Sequence, residues 1–314
     1  MEKRPEDLGT NAGAEGAGID VSIILPVFNE ASHLEEEYRR ISKAMDESPY
    51  SYELIVVDDG STDGSGDLAE SLGLHTIRFA TNRGAGSARK YGTQAARGRI
   101  VVWTDVDMTY PNDRIPELVS ELRGYDQVVG ARTSEQGTVK LLRTPAKWII
   151  RKLASYLTKT KIPDLNSGFR AFRREVGAQF LYLLPRGFSC VTTLTMAFLA
   201  NGYSVKYVPI EYARRAGRSK FHWLEDTRRY VLQVVRMVLM HEPIRFFGPL
   251  AGWVGLVGAV KLVYDLITKD FRVGTNTIVL VGVAFALAGV GLLADLLVQL
   301  NKRDYGVAPA TRDM

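Results

Sequence analysis

Ile100-Val-Val-Trp-Thr-Asp-Val-Asp107 is an apolar, β-branched run that stops at two carboxylates spaced i, i+2. A short run of this kind reads as a buried strand, and the two aspartates then lie where its carboxyl end emerges. Val21-Ser-Ile-Ile-Leu-Pro26 is a second such run, closed by proline, and residues 52–57 and 76–79 are two more. Ser32-His-Leu-Glu35 has the spacing of a capping box and opens a helix that runs to about Met45. Residues 86–96 read as a helix rich in small side chains, and 114–122 and 127–131 as a further helix and strand. Strand and helix alternate, which predicts an α/β domain with a mostly parallel sheet covered on both faces.

In such sheets ligands bind at the carboxyl ends of strands, near a switch in strand order. Phe28-Asn29-Glu30 follows the first strand, Asp58-Asp59 the second and Asp105-Val106-Asp107 the fourth. A lone Asp-x-Asp is most often a turn or a solvated loop, and Asp-Asp-Gly is a common turn signature. Two acidic pairs at strand ends of one sheet are harder to explain that way. Carboxylates are hard oxygen ligands suited to Mg²⁺ or Mn²⁺, which fills its remaining shell with phosphate oxygens and water. Such an ion neutralises charge on a departing diphosphate.

Several segments in order carry a resemblance: Leu25-Pro-Val-Phe-Asn-Glu30, Val57-Asp-Asp-Gly-Ser-Thr-Asp63-Gly, Asn82-Arg-Gly-Ala-Gly86 and Thr104-Asp-Val-Asp107. Together they resemble family 2 glycosyltransferases of the GT-A, Rossmann-like fold, over about residues 21–221. The resemblance implies that Pro26, Phe28, Glu30, Val57, Asp59 and Val106 contact the nucleotide sugar, and that Asp105 and Asp107 hold the metal. Three further segments are similar to those of polyprenyl-phosphate hexose synthases, the subgroup of dolichol-phosphate mannose synthase. Gly130-Ala-Arg132 resembles a G-x-R whose arginine serves the sugar-phosphate. Asp164-Leu-Asn-Ser-Gly-Phe-Arg170 resembles an acceptor loop, which implies Ser167 and Arg170 at the acceptor phosphate. Arg214-Arg-Ala-Gly-Arg-Ser-Lys220 resembles a loop that closes over the donor. Two phosphate-bearing substrates in one site both need cationic partners, although any one of these cations alone reads as ordinary surface charge. The resemblance implies catalytic roles for Asp107, Arg132, Arg214 and Lys220. It departs at Thr109, where the subgroup often has glutamine, and before Ser167, where an arginine often found in the subgroup is not matched, although Lys159 and Lys161 lie close.

The composition, 46% hydrophobic and 24% charged, conceals a break near residue 245. Beyond it, 246–267 and 278–300 are each apolar over the roughly 20 residues that cross a bilayer. Lys261, Asp265 and Asp295 favour two buried core helices instead, but they lie toward the segment ends, where they can reach head groups or a partner helix. Arg228, Arg229, Arg236 and Arg245 precede the first segment and Lys302 and Arg303 follow the second, while the connecting loop holds only Lys269 and Arg272. The positive-inside rule then predicts a two-span cell-membrane hairpin with both ends, and the catalytic part, in the cytoplasm. The net charge of +5 suits a membrane surface better than nucleic acid, because no basic run with interleaved aromatics is present. Cys190 is the only cysteine, which excludes an intrachain disulfide and a zinc site built on cysteine pairs. The four histidines are scattered without metal spacing, and Gly84-Ala-Gly86 is not a G-x-G-x-x-G dinucleotide loop.

The expected division is a disordered tail over 1–18, lacking the apolar core of a signal peptide, then a catalytic domain over 19–223. A membrane-surface helix over 224–245, the hairpin over 246–303 and a tail over 304–314 follow. The expected function is inverting, metal-dependent transfer of a hexose, from GDP-mannose or UDP-glucose, to a polyprenyl phosphate. Two alternatives stand beside it. One is a processive synthase with a sugar-hydroxyl acceptor, which would need a base such as Glu225 or Asp226; the other is a non-catalytic, membrane-anchored carbohydrate-binding protein. Two spans leave both a monomer and a homo-oligomer open.

Overall fold

A computed structural model of the chain describes residues 18–133, 162–187, 189–213, 242–268 and 272–304, and the isolated positions 155, 235 and 239. The near-continuous apolar runs of the sequence become strands buried on both faces. β1 (Val21–Val27), β2 (Tyr52–Asp58) and β4 (Ile100–Trp103) are the innermost of these. Along β1 the side chains alternate: Val21, Ile23, Leu25 and Val27 pack in one apolar cluster and Ile24 in the other. The first cluster is covered by α1 (Ala31–Asp46) and α4 (Ile115–Ser120), through Leu34, Ile41, Met45, Ile115 and Leu118. The second is covered by α3 (Ala85–Ala95), between the short α2 (Ser65–Ser71) and β4, and by a helix near residue 190 introduced below.

With β3 (His75–Arg78), β5 (Gln127–Arg132), β6 (Arg170–Arg173) and β7 (Val205–Ile210), the strands form one sheet in the order β3-β2-β1-β4-β6-β5-β7. The chain winds outward from β1 to β3 and returns to β4 on the other side of β1. The switch in strand order therefore falls between β1 and β4, where the rule for open α/β sheets places a ligand. β5 and β7 pair in parallel, whereas β6 runs antiparallel between β4 and β5. Here the sequence reading is corrected. Arg170-Ala-Phe-Arg173, with arginine at both ends, passes for the end of a polar loop, yet Arg170, Ala171 and Phe172 are fully buried in the sheet. α5 (Arg174–Ala178), α6 (Cys190–Ala200) and β7 then complete the second face.

The predicted capping box is also corrected. α1 starts at Ala31, one residue before Ser32, and its N-cap Glu30 makes no side-chain cap. Ser32 Oγ lies 3.1 Å from His33 Nδ1 instead. The orphan donors at the helix entry are met from the next loop. Glu30 N donates to Ser65 Oγ and Ala31 N to Asp63 Oδ2, each at 3.0 Å. A tertiary cap has displaced the local one. The other strand and helix boundaries read in the sheet domain agree to within two residues.

α7 (Ile244–Thr268) and α8 (Thr275–Asp304) are long and apolar enough to cross a bilayer, with mean hydropathies of 1.6 and 2.5 over their most apolar windows. Only 6% and 11% of those windows are buried within the chain, unlike the core helices of a soluble domain. They run antiparallel: Gly258 lies against Val281, Gly255 against Ala284 and Gly291 against Phe247. Asp265, one of the charges that favoured the core reading, is fully buried at the turn. Its Oδ2 accepts from Thr277 Oγ1 at 2.5 Å and Gly274 N at 3.0 Å, so it caps the second helix of the hairpin. The membrane-surface helix expected over 224–245 falls largely outside the described residues.

Candidate active site

The Asp-x-Asp turn leaves β4 at the switch point with both aspartates half-buried and Val106 between them 1% exposed in the core. Met108, next in the chain, takes a left-handed φ of 60°. Asp107 Oδ1 accepts from Thr109 Oγ1 at 2.5 Å and from Thr109 N at 3.3 Å, which orients the second carboxylate. Thr109, the departure from the subgroup pattern, therefore acts on Asp107 from inside the turn. Asn112 braces the turn from below. Its Nδ2 donates to Asp105 O at 3.0 Å and Glu37 Oε2 at 2.7 Å, while its Oδ1 accepts from Thr104 Oγ1. Burial pushes the Glu37 carboxyl above its usual pKa, against the hydrogen bond from Asn112 and the charge of Arg40.

Asp105 is held by a residue that the sequence reading missed. Arg89, on α3 and 1% exposed, donates from Nη2 to Asp105 Oδ1 at 2.5 Å. Its guanidinium lies 5.8 Å from the Trp103 ring centre. The available signal was an arginine in a helix whose buried face is otherwise small, through Gly86, Ser87, Ala88, Gly92 and Thr93. Glu37 was equally legible, as an acid on the apolar stripe of Leu34, Ile41 and Met45.

The second acidic pair builds the neighbouring wall. Asp58 Oδ1 accepts from Ser61 N at 2.9 Å. Asp59, read as a nucleotide contact, accepts from Arg83 N at 2.6 Å and Gly84 N at 2.8 Å. Both of its oxygens thus shape the Asn82–Gly86 loop, although each keeps a further lone pair for a ligand. Burial raises its pKa, opposed by those two backbone bonds. Among the other expected donor contacts, Pro26, Phe28 and Glu30 are half-buried at the end of β1, but Val57 is fully buried in the core. Its side chain packs toward Gly92.

The acceptor-loop segment reaches the same turn through Gly168. Gly168 N donates to Tyr110 Oη at 2.7 Å, and a Cβ added at this glycine would stand 3.0 Å from Arg89 Nη2 and 3.1 Å from Asp105 Oδ2. Gly168→Ala is expected to displace Asp105 by a few tenths of an ångström and to lower transfer about ten-fold, with the fold kept. Wild-type turnover by the purified variant would refute this. Tyr110 stacks on Phe169, with ring centres 5.8 Å apart, and meets Tyr212 edge-on at 5.2 Å. Burial holds its phenol far above the usual pKa.

The two residues expected at the acceptor phosphate are both enclosed. Ser167 is fully buried, and its Oγ has no hydrogen-bond partner among the described residues. Arg170 donates to Val191 O at 2.6 Å, to Thr195 Oγ1 at 2.9 Å and to Ser167 O, all inside the core. Arg170 therefore stands on a sheet strand with its guanidinium bonded inside the core, where the sequence reading expected a loop arginine. Burial lowers its pKa to about 10, so it stays charged at neutral pH.

Arg132 ends β5 in a bidentate pair with Asp164, at 2.7 and 2.9 Å, under the Tyr212 ring at 5.3 Å. Burial disfavours the Asp164 carboxylate, but hydrogen bonds and charge from Arg132, with the Asn166 N–H, outweigh it and lower the pKa below 3.8. A depressed native pKa stabilises the fold above the unfolded value, and that contribution is lost as pH falls through the native one. The stability gap between wild type and Asp164→Asn should therefore be constant near neutrality and close below about pH 4. Thermal melts from pH 7 to 3 measure it, and a gap that widens in acid would refute the assignment. Arg214 and Lys220 lie outside the described residues. The chain enters that loop beside the Asp-x-Asp turn, because Ala213 N donates to Thr109 O at 2.9 Å.

Among the described residues no three metal-ligating side chains cluster. The donor set at the turn is two half-buried carboxylates on one strand end. That set fits Mg²⁺ or Mn²⁺, which takes one or two protein carboxylates beside substrate phosphates and water, and does not fit zinc.

Comparison with known proteins bears on the whole chain. It is similar to dodecaprenyl-phosphate galacturonate synthase of Rhizobium johnstonii, 27% identical over 94% of this chain and 92% of that one. Undecaprenyl-phosphate 4-deoxy-4-formamido-L-arabinose transferase of Shewanella sediminis is also 27% identical, over 91% of this chain and 78% of its own. Among solved structures, glucosyl-3-phosphoglycerate synthase of Mycobacterium tuberculosis, in complex with Mn²⁺, UDP and phosphoglyceric acid, shares the fold. Its TM-score is 0.56 at 24% identity, covering 71% of this chain and 79% of that one. The model of glycosyl transferase family 2 matches residues 22–180, which include β1 to β6 and both acidic pairs. The chain belongs to glycosyl transferase family 2 and is a glycosyltransferase with two C-terminal helices long enough to span a membrane.

Proposed function

We propose that the chain transfers a sugar from a nucleoside diphosphate donor to the phosphate of a polyprenyl phosphate, with inversion at the anomeric carbon. The observation that carries it is the switch-point cluster, where the Asp-x-Asp turn, the Asp59-shaped loop and the Gly168 segment meet, in a chain with a membrane-length hairpin. The names of both curated relatives support the lipid phosphate acceptor.

In this reading Asp105 and Asp107 hold Mg²⁺ or Mn²⁺, which neutralises charge on the departing diphosphate. An acceptor phosphate oxygen attacks the anomeric carbon as the bond to the donor phosphate breaks, and the nucleoside diphosphate leaves from the opposite face. A phosphate is already anionic at neutral pH, so the chain needs no strong general base. Its task is positioning and charge stabilisation. Pro26, Phe28, Glu30 and Asp59 border the nucleotide, and Arg132, Arg214 and Lys220 serve the phosphates. Arg132 would do so while exchanging or sharing its Asp164 partner. Arg170 and Val57 act through packing. The catalytic domain faces the cytoplasm, where nucleotide sugars are made available, and the hairpin holds it against the lipid.

GDP-mannose and UDP-glucose are the first donors to test, and the relatives' names add galacturonate and a formamido-arabinose. Membranes containing the expressed chain should be given these labelled donors, Mn²⁺ and a short polyprenyl phosphate. Label in an acid-labile lipid product is the expected result. Label only in a water-soluble product would overturn the acceptor assignment and favour a soluble acceptor.

A further inference from the structure

We propose that Arg89 is a positioning residue for the metal: it locks the rotamer of Asp105 from inside the core, so that the carboxylate is presented ready for ligation. The inference rests on the metal-dependent reading above. Asp105 spans two environments, with its side chain 30% exposed and its partner Arg89 only 1% exposed. A guanidinium buried to that degree is costly unless paired, so its bond to the carboxylate is held tightly.

The neighbours of Arg89 confine its side chain. Small residues on α3 leave room for the side chain against the sheet. Trp103 lies 5.8 Å from the guanidinium, and Nη1 is 3.9 Å from the Cys190 sulfur. Gly168 leaves the far side open, since a Cβ there would press on both Arg89 Nη2 and Asp105 Oδ2. α3 begins at Ala85, directly after Arg83 and Gly84, whose backbone N–H groups donate to Asp59. The same helix therefore ties the second acidic pair to the first. Groups that orient a metal ligand from behind typically contribute 10–100-fold to affinity.

The test is Mn²⁺ binding to the purified full chain in detergent with saturating UDP, followed by electron paramagnetic resonance. Arg89→Met keeps the volume, and Arg89→Lys keeps the charge without the planar fork. Both are expected to raise the Mn²⁺ dissociation constant about 10–100-fold, with Lys nearer wild type, and with circular dichroism and metal-free UDP binding unchanged. Folded variants that bind Mn²⁺ within two-fold of wild type would overturn the proposal. Loss of the fold in both variants would overturn it too, since the pair would then be structural. If Asp107→Asn binds Mn²⁺ as tightly as wild type, the metal reading itself fails, and that failure is separate from any result at Arg89.

Discussion

Asp107→Asn is expected to lower sugar transfer by about a hundred- to a thousand-fold, the scale on which loss of a single charge-stabilising group acts in acyl transfer. The substitution is nearly isosteric. Thr109 Oγ1 and N, which bond Asp107 Oδ1, can still donate to the asparagine oxygen. The side chain is half-buried at a strand end and outside the apolar clusters, so folding should be indifferent. The change therefore isolates one negative charge. Steady-state transfer with Mn²⁺, compared with a thermal melt of the same preparation, is the measurement. A variant with wild-type melting and wild-type turnover would end the assignment of a metal to this turn.

Arg170→Ala is expected to act in the opposite manner, on stability first. The guanidinium is fully buried and its three acceptors, Val191 O, Thr195 Oγ1 and Ser167 O, are all enclosed. Truncation leaves them without this donor and opens a cavity between β6 and α6. Breaking a buried charged network of this type costs about 3–5 kcal/mol. For a domain of this size that is a fall in melting temperature of roughly 10 °C. Arg170→Lys should recover part of it. A phosphate ligand would behave differently, keeping the melt and losing affinity for the lipid phosphate. Wild-type melting with a raised acceptor KM would return Arg170 to the acceptor site.

These two residues show how far the primary structure could be read. Asp105 and Asp107 were visible because a strand end is a local event: the apolar run sets β4, and the carboxylates follow it. The parallel core was visible for the same reason, since β1, β2 and β4 are unbroken apolar runs whose period and length need no partner to be recognised. The two membrane-length helices follow from hydropathy alone. The burial of Arg170 and Val57 was not legible, because a motif names a residue without saying which way its side chain points. Alternation along a strand decides that, and for Arg170 the strand itself was hidden by flanking arginines.

The remaining contacts could not be read locally. Arg89 meets Asp105 across 16 residues, Asn112 meets Glu37 across 75 and Gly168 meets Tyr110 across 58. The helix cap at Ala31 comes from Asp63, 32 residues away, and displaced a local box of the right spacing. Hydropathy and periodicity depend on neighbours along the chain, so composition and order alone specify a buried α/β sheet, its acidic strand ends and an apolar hairpin. Pairing of charges and caps depends on distance in space, because a buried charge must find its partner wherever the fold brings one. Which arginine is drawn into the core is therefore decided only when the sheet closes, with β6 between β4 and β5.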